Sequence, residues 1–524
     1  MQASQRPMEK VEQYYSPYYV FNNNSNDTSS SGTQFSFQSQ NEQFFTLDSL
    51  PAAGYVIYDS PPAVSVSSNW SPFSPQYSQS TISDQHHSSD NTYGSPLSGC
   101  SGVDGVLSEM ANKLLGPESD IDDSSSCSFN DVVSEPSSLT KWNRVLEIAS
   151  SLDVKELLLA CAEAVSDAYF PAAEVLMNVL EQKVSISGEP MQRLSAYMLE
   201  GIRARLFSSG SIIYKKLKCK EPTNSELLSY MQVLYHICPY YKFAYTSANV
   251  VIDEAMTNEN GIHIIDFQIA QGSQWMFLIQ SLARRPGGPP SVRITGVDDS
   301  QSAHARGGGL QLVGEKLAKV AESCRVPFEF NAAAISGSEV ELENLYIRHG
   351  EALAVNFPYI LHHMPDESVS TVNHRDRLLR LVKSLSPKIV TLVEQESNTN
   401  TAAFIPRFRE TLDYYTAMFE SIDAGRPRDD KQRISAEEHC VARDVVNIIA
   451  CEGADRVERH ELFGKWSMRL KMAGFTPCPL SPSVGEAIND MLKDYSSNYR
   501  IAENKGALYL GWKNRALATT SAWR

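Results

Sequence analysis

Nine cysteines are spread over 524 residues, and no two of them form a CxxC pair. That spacing disfavours a zinc ribbon or a disulfide framework and leaves reduced thiols of the cytosol or nucleus as the default. The chain has no run of the roughly 18 apolar residues that a membrane span requires. Met1-Gln2-Ala3-Ser4-Gln5-Arg6 leads into no apolar core, so no secretory signal is expected. Basic charge is scarce at the front: up to Thr140 there are three basic residues (Arg6, Lys10, Lys113) against sixteen acidic ones, or −13 of the total −16. The remaining 43 basic and 46 acidic residues leave the rest near neutral. Such a balance argues against a strong, sequence-independent grip on phosphate backbones.

What the first 140 residues do contain is Ser, Asn, Gln, Pro, Gly and Tyr. A segment of this kind cannot bury enough apolar surface to offset its ordering entropy, so disorder is expected. Aromatics recur in it, among them Tyr14, Tyr15, Phe35, Phe37, Phe44 and Phe45, as docking stickers or an activation segment would require. A passive solvated tail has the same composition. Residues Val106 to Leu115 have helical spacing and could fold on a partner.

From Ser150 the pattern turns helical. Ser150 followed by Asp153 reads as a helix start, and Leu158, Cys161, Ala162 and Val165 share one face. Pro171 suits a first turn, and Ala172, Val175, Leu176, Val179 and Leu180 continue at helical spacing. A third helix runs from Met191 to Leu206, and more helices fit Ser225 to Met256. These stripes predict a helical bundle packed on the rest of the chain, with partner-helix docking as the other reading. Lys215-Lys216-Leu217-Lys218-Cys219-Lys220 reads as a solvated helix end, or else as a nuclear-import or phosphate patch.

Gly261-Ile262-His263-Ile264-Ile265-Asp266 is a β-branched run ending in an acid, and it is followed by a turn into a helix from Trp275 to Arg284. Doubly wound α/β domains build their ligand crevice in this way. Further strands are expected at Val292–Val297, Phe328–Phe330, Ala352–Phe357 and Lys388–Glu394. The helices between and after them fall at Leu310–Cys324, Arg377–Leu385, Phe404–Ile422, Val441–Glu452 and Phe463–Ala473. Tyr499 to Ile501 and Ala507 to Trp512 flank a turn at Asn504-Lys505-Gly506, which predicts an antiparallel hairpin at the sheet edge. Alternating units of this kind imply a mostly parallel, Rossmann-like sheet with right-handed crossovers.

The order resembles a class I S-adenosylmethionine-dependent methyltransferase. A cofactor pocket would involve Asp266, Gly272, Asp298 and Asp299, the acids binding ribose hydroxyls. Glycines at positions 268 and 270 would let the backbone approach a cofactor closely, but Gln268 and Ala270 stand there. The expectation is a cofactor fold with a poor cofactor turn, its acids serving as caps or turn formers and no cofactor bound. His362 and His363, beyond the fourth strand, are either general bases or part of a structural turn beside Pro365. Glu394 and Glu396 border the fifth strand with no partner that spacing can identify. Spacing assigns no catalytic triad and no metal-ligand set. Trp466, Trp512 and Trp523 read as packing anchors.

Taken together, these residues resemble the plant-specific GRAS family of transcriptional regulators over about Ser150 to Arg524. Ile262-His263-Ile264-Ile265-Asp266 matches the family's VHIID motif with Ile in first place, and the flanking helices match its two leucine-rich regions. Pro387, Phe404 to Tyr415 and Arg459-His460-Glu461 look like the dispersed PFYRE motif. Trp466, Arg469, Ala473-Gly474-Phe475, Trp512 and Ser521-Ala522-Trp523 match the SAW region. Leu114 to Ile121 resembles the phytochrome A signal transduction branch, which includes Scarecrow-like proteins, and the D-E-L-L-A stretch of the gibberellin-repressor branch is absent.

The resemblance implies residues 1–149 as a disordered regulatory segment, 150–260 as a helical cap and 261–524 as a methyltransferase-like core. It further implies a nuclear, and also cytoplasmic, regulator in light, hormone or stress signalling. Such a regulator would dock DNA-binding transcription factors and other GRAS proteins, dimerise through the cap, and contact DNA indirectly. The rival readings are a methyltransferase or small-molecule sensor, and direct DNA binding through a groove.

Overall fold

β-Branched runs become the centre of one sheet in the computed structural model, which describes residues 138–207, 224–298 and 309–524. The acidic segment up to residue 137, the Lys215–Lys220 cluster and Asp299 lie outside the described residues. Strand β1 (Gly261–Asp266) buries both faces, with Ile262 and Ile264 in one apolar cluster and Ile265 in the other. Its parallel neighbours are β2 (Ser291–Asp298) and β4 (Ala352–Pro358), which pair in turn with β3 (Phe328–Ala334) and β5 (Ile389–Gln395). Sheet order is β3-β2-β1-β4-β5, followed by three strands from the C-terminal end of the chain. Five parallel strands are therefore continued by an antiparallel run made of β7 (Tyr499–Asn504), β8 (Ala507–Trp512) and β9 (Arg515–Trp523). The short β6 (Pro477–Cys478) pairs with the end of β9. This is the Rossmann-like, methyltransferase-like architecture expected from the sequence, with the β7–β8 hairpin at the edge.

Two strands were not expected, the two-residue β6 and the long β9. β9 reads Arg-Ala-Leu-Ala-Thr-Thr-Ser-Ala-Trp, which lacks a strong apolar alternation, yet it is buried along eight of its nine residues between β5 and β8. Small side chains suit a strand covered on both faces, and Ser521 accepts a hydrogen bond from Trp523 Nε1 at 2.9 Å.

The helices precede and intersperse these strands: α1 (Ser138–Ile148), α2 (Val154–Ser166), α3 (Phe170–Glu181), α4 (Pro190–Phe207), α5 (Asn224–Ile237), α6 (Tyr240–Ala255), α7 (Ser273–Leu282), α8 (Gly309–Ser323) and α9 (His374–Ser384). After β5 come α10 (Phe404–Asp423), α11 (Lys431–Ala436), a π turn at Glu437–Val441, α12 (Ala442–Ala450), α13 (Phe463–Met472) and α14 (Pro482–Leu492). Helix α9 and helix α13 cover one sheet face, and the others lie toward the second.

Two boundaries differ from expectation. Residues 138–149 were assigned to the disordered segment, but α1 forms there and buries Trp142, stacked on Tyr169 at 6.3 Å. The helix start placed at Ser150 lies at Asp153, whose carboxylate accepts the Glu156 N–H at 2.8 Å while Glu156 accepts the Asp153 N–H at 2.9 Å. The reciprocal bonds of a capping box outweigh a lone serine.

Helices α10 and α12, which sequence order assigns to the core, pack against α4. The approach of α12 is close because position 201 is glycine: a Cβ there would stand 3.1 Å from Ile449. The seam is locked by charge. Arg193, fully buried in α4, donates to both oxygens of Glu437 (3.0 and 2.9 Å) and to Asp423 at 2.8 Å. Arg433 takes the other side of Glu437 as a close ion pair. Removing one partner of such a buried group leaves the other uncompensated. Arg193→Ala is therefore expected to lower stability in urea unfolding by about 3–5 kcal/mol, and the Arg193→Ala/Glu437→Ala double variant to lose clearly less than the sum of the two single changes.

Candidate functional site

In open α/β sheets ligands bind beyond the carboxyl ends of the strands, and two corners there contain the residues singled out from sequence. At the first corner, β1 ends on Asp266, which is buried. Trp275 Nε1 donates to its Oδ2 at 2.6 Å, while the Gln268 N–H and Asn356 Nδ2 donate to Oδ1 at 3.2 and 3.4 Å. Burial raises the Asp266 carboxyl to about 7, against the pull of the Gln268 and Trp275 hydrogen bonds toward the anion.

The turn that follows is left-handed at Ala270 (φ 49°) and at Gly272 (φ 72°). Glycine is required at 272 for a second reason, since a Cβ would lie 2.9 Å from Val313. Just before them, Ile269 packs onto β2, where a Cβ on Gly296 would meet its Cδ1 at 2.9 Å. This corner does not fit a nucleoside cofactor. Both oxygens of Asp266 are engaged by the chain's own donors, and Trp275 and Ile269 fill the approach to β1 and β2. The obstruction was expected from Gln268 and Ala270. Ala270 instead adopts the glycine-like conformation, and Gln268 lines the second corner. Asp298 ends β2 and is buried.

The second corner lies beyond β4 and β5. The chain leaves β4 through Tyr359 (φ 54°) into a single 3-10 turn, Leu361–His363. Glu394 of β5 fixes that turn, one oxygen accepting the Leu361 N–H at 2.8 Å and the other lying 2.6 Å from His362 Nδ1. The partner that spacing could not give Glu394 is thus His362. On the other ring edge, His362 Nε2 lies 3.5 Å from Glu458, and His363 Nε2 lies 3.2 Å from the same carboxylate. His460 Nε2 is 3.5 Å from Glu458 Oε2, and its Nδ1 is 3.1 Å from the Thr399 hydroxyl.

Burial alone would lower His362, but Glu394 and Glu458 outweigh it and raise the imidazole to about 10. Burial likewise opposes ionisation of Glu458, yet His363 and His362 hold its carboxyl well below the usual range. Burial and the neighbouring His362 push His460 well below its ordinary value. One donor atom each from His362, His363 and Glu458 fall within 4.8 Å of one another, a grouping able to hold a metal ion. They face a cavity of about 170 Å³. Tyr240 and Tyr241 of α6, Tyr359, Tyr414 of α10 and Asp444 of α12 also line it, so helices from before β1 and after β5 close it jointly.

The motif residues divide by role. His263 donates through Nε2 to Thr295 at 2.8 Å and accepts from Arg293 at 3.1 Å, and burial and Arg293 lower it to about 3, which makes it a neutral packing group in β1. Arg459 and Glu461 converge with Trp466 and Arg469 on the buried Arg375. Pro387 is buried just before β5, at the opposite end of the strand from Glu394. Trp512 donates to Glu420 at 3.0 Å, and Ser521, Ala522 and Trp523 lie buried in β9. These tryptophans are packing anchors, as expected. Sequence reasoning missed Glu458 and Asp444, and the only signal for Glu458 was its place beside Arg459-His460-Glu461.

Comparison with known proteins gives a match to the GRAS domain family over residues 154–524. The chain is 60% identical to Scarecrow-like protein 13 of Arabidopsis thaliana, covering 92% of each chain. It is also 60% identical to the Scarecrow-like transcription factor PAT1 of Arabidopsis thaliana, over 80% of this chain and 85% of that one. Among solved structures, SCL7 of Oryza sativa superposes with a TM-score of 0.63 at 33% identity, covering 71% of this chain and 100% of that chain.

The burial of acids at this sheet end has a consequence for stability. Burial raises Glu396, just past β5, to about 8 from an ordinary 4.5. A carboxyl whose folded value is raised favours the folded state while protonated, so its contribution is lost as pH rises through the folded value. The midpoint of thermal unfolding is expected to fall between pH 6.5 and 8 in a calorimetric series. One group supplies at most about 1.4 kcal/mol per pH unit, and Glu396→Gln, which still accepts the Phe463 N–H, should flatten the decline.

Proposed function

The chain belongs to the GRAS domain family, and from that premise we propose that it regulates transcription in the plant nucleus by docking DNA-binding transcription factors, without catalysing a reaction. The observation that carries this reading is the occupied first corner. Where a methyltransferase would seat its methyl donor, Trp275 and Asn356 are hydrogen-bonded to Asp266 and Ile269 packs onto Gly296 of β2. A scaffold retained without room for its cofactor is suited to presenting surface. The relative named as a transcription factor supports the same role, and the resemblance of Leu114 to Ile121 to the phytochrome A signal transduction branch supports a place in light signalling. Other GRAS proteins, including a second copy of this chain, are further partners on this reading.

DNA contact is then indirect. Eight arginines are buried among the described residues (Arg193, Arg293, Arg375, Arg407, Arg433, Arg443, Arg456 and Arg459) and so do not face a phosphate backbone. The cavity at the second corner favours one alternative, a small-molecule sensor whose ligand sits between cap and core and adjusts their contact.

In mobility-shift assays the full-length chain alone is expected to leave promoter DNA unshifted at physiological salt, and to retard further a complex already formed by a DNA-binding factor co-purified with it from plant nuclei. Sequence-selective, steeply salt-dependent binding by the chain alone would favour the direct-binding alternative. In calorimetry S-adenosylmethionine should give no binding heat at millimolar concentration, and a heat abolished by Asp266→Ala would reinstate the cofactor.

A further inference from the structure

The second corner has the features of a metal site. A zinc ion bound at about 2.0–2.1 Å in tetrahedral geometry holds its donor atoms roughly 3.4 Å apart. Here Glu458 Oε2 lies 3.5 Å from His362 Nε2 and its Oε1 lies 3.2 Å from His363 Nε2, and one donor atom from each residue can be chosen so that all three are mutually within 4.8 Å. Metal-binding histidines almost always have their second ring nitrogen held by a carboxylate or carbonyl. His362 Nδ1 is held at 2.6 Å by Glu394, which is itself fixed by the Leu361 N–H.

A second observation is independent of this spacing. Glu458 Oε2 and His460 Nε2 face each other at 3.5 Å, both are buried, and neither has a hydrogen-bond partner. Orphaned buried polar atoms in a native fold call for an occupant, and an ion is a recognised one. A proton shared between His362 Nε2 and Glu458 is a weak substitute, because 3.5 Å lies beyond the usual N–H···O range. The cavity supplies both access and room, being far larger than the roughly 10–15 Å³ that one water needs.

We propose that His362, His363 and Glu458 bind a divalent transition-metal ion, with zinc the best match to two imidazoles and a carboxylate, and that the cavity side of the ion is left to water or a small donor. His460 is the nearest further ligand. The ion ties the turn after β4 to the segment 456–461, and thereby braces the wall shared by cap and core. This inference is independent of the docking role, and either can fail without the other.

The test uses the full-length chain purified without a histidine tag, with zinc and cobalt salts as the probes. Metal analysis is expected to find one equivalent of zinc retained through gel filtration, and cobalt substitution to give the visible d–d absorption of a low-coordinate site. Glu394→Gln, which keeps an oxygen for the Leu361 N–H but puts an amide donor against His362 Nδ1, should weaken zinc binding by about 10–100-fold. His363→Ala should weaken it more, and because that side chain is 32% exposed the variant should keep the wild-type circular dichroism. Zinc should also raise the unfolding midpoint of the wild type and not that of His363→Ala. Natively folded wild-type protein that takes up no zinc at micromolar concentration would overturn the proposal, as would uptake unchanged in His363→Ala.

Discussion

A guanidinium cut off from water has to find its acceptors within the protein, and the placement of Arg375 in α9 organises the carboxyl end of the sheet around that requirement. Its Nη2 donates to the carbonyls of Met364 (3.0 Å), His362 and Arg459, while Nη1 lies 3.4 Å from Glu461 and 3.7 Å from Asp366. Its guanidinium plane sits 4.8 Å over the Trp466 ring. Glu461 is held from its other side by Arg469 at 2.8 Å and by Asn400 at 2.7 Å. Arg459 Nη1 donates to the Asn400 side-chain Oδ1 at 3.0 Å. Residues nearly a hundred positions apart therefore surround one buried charge, and each member loses compensation if another is removed. Three motif residues that look dispersed in the sequence, Arg459, Glu461 and Trp466, meet at this arginine.

The hub also explains why the histidine turn has one conformation. Arg375 holds the His362 carbonyl, and the Arg459 N–H donates to that same carbonyl at 3.2 Å. With the backbone clamped from below and Nδ1 clamped by Glu394, the Nε2 edge of His362 can only face Glu458 and the cavity. The two corners of the sheet thus diverged by different local means. At β1 a tryptophan and an isoleucine closed over the acid. At β4 and β5 a stiff polar wall keeps a space open. In both, hydrogen bonds fix side chains whose packing decides what can enter.

Much of the core was legible because parallel strands buried on both faces announce themselves as β-branched runs. Ile262 to Ile265, Val292 to Val297 and Ala352 to Phe357 were placed to within a residue or two. β9 was not legible, since Thr519, Thr520 and Ser521 are polar by type and buried only because β5 and β8 enclose them. The pairing of His362 with Glu394 and Glu458 spans 32 and 96 positions, and spacing carries no information at that range. Asp266 was recognised as the end of a strand, but whether its oxygens faced a ligand or Trp275 depended on how α7 turns back across the sheet. Local sequence records strand and helix, and the topology decides which polar groups meet.

Charge accounting leads from fold to function. A folded region with nearly as many basic as acidic residues could still present a basic face if its arginines were clustered on the surface. Here the arginines with the most rigid surroundings point inward, with Arg193 and Arg433 on Glu437, Arg375 among Glu461 and Asp366, and Arg407 on Glu452. Each is committed to a buried or partly buried carboxylate within the fold, where a planar, multiply donating guanidinium serves better than lysine. Phosphate recognition draws on the same residue type and competes for it. A chain that buries these arginines as internal struts, and places −13 of its −16 charge in residues 1–140, keeps them from a phosphate backbone, as the proposed indirect route to promoters requires.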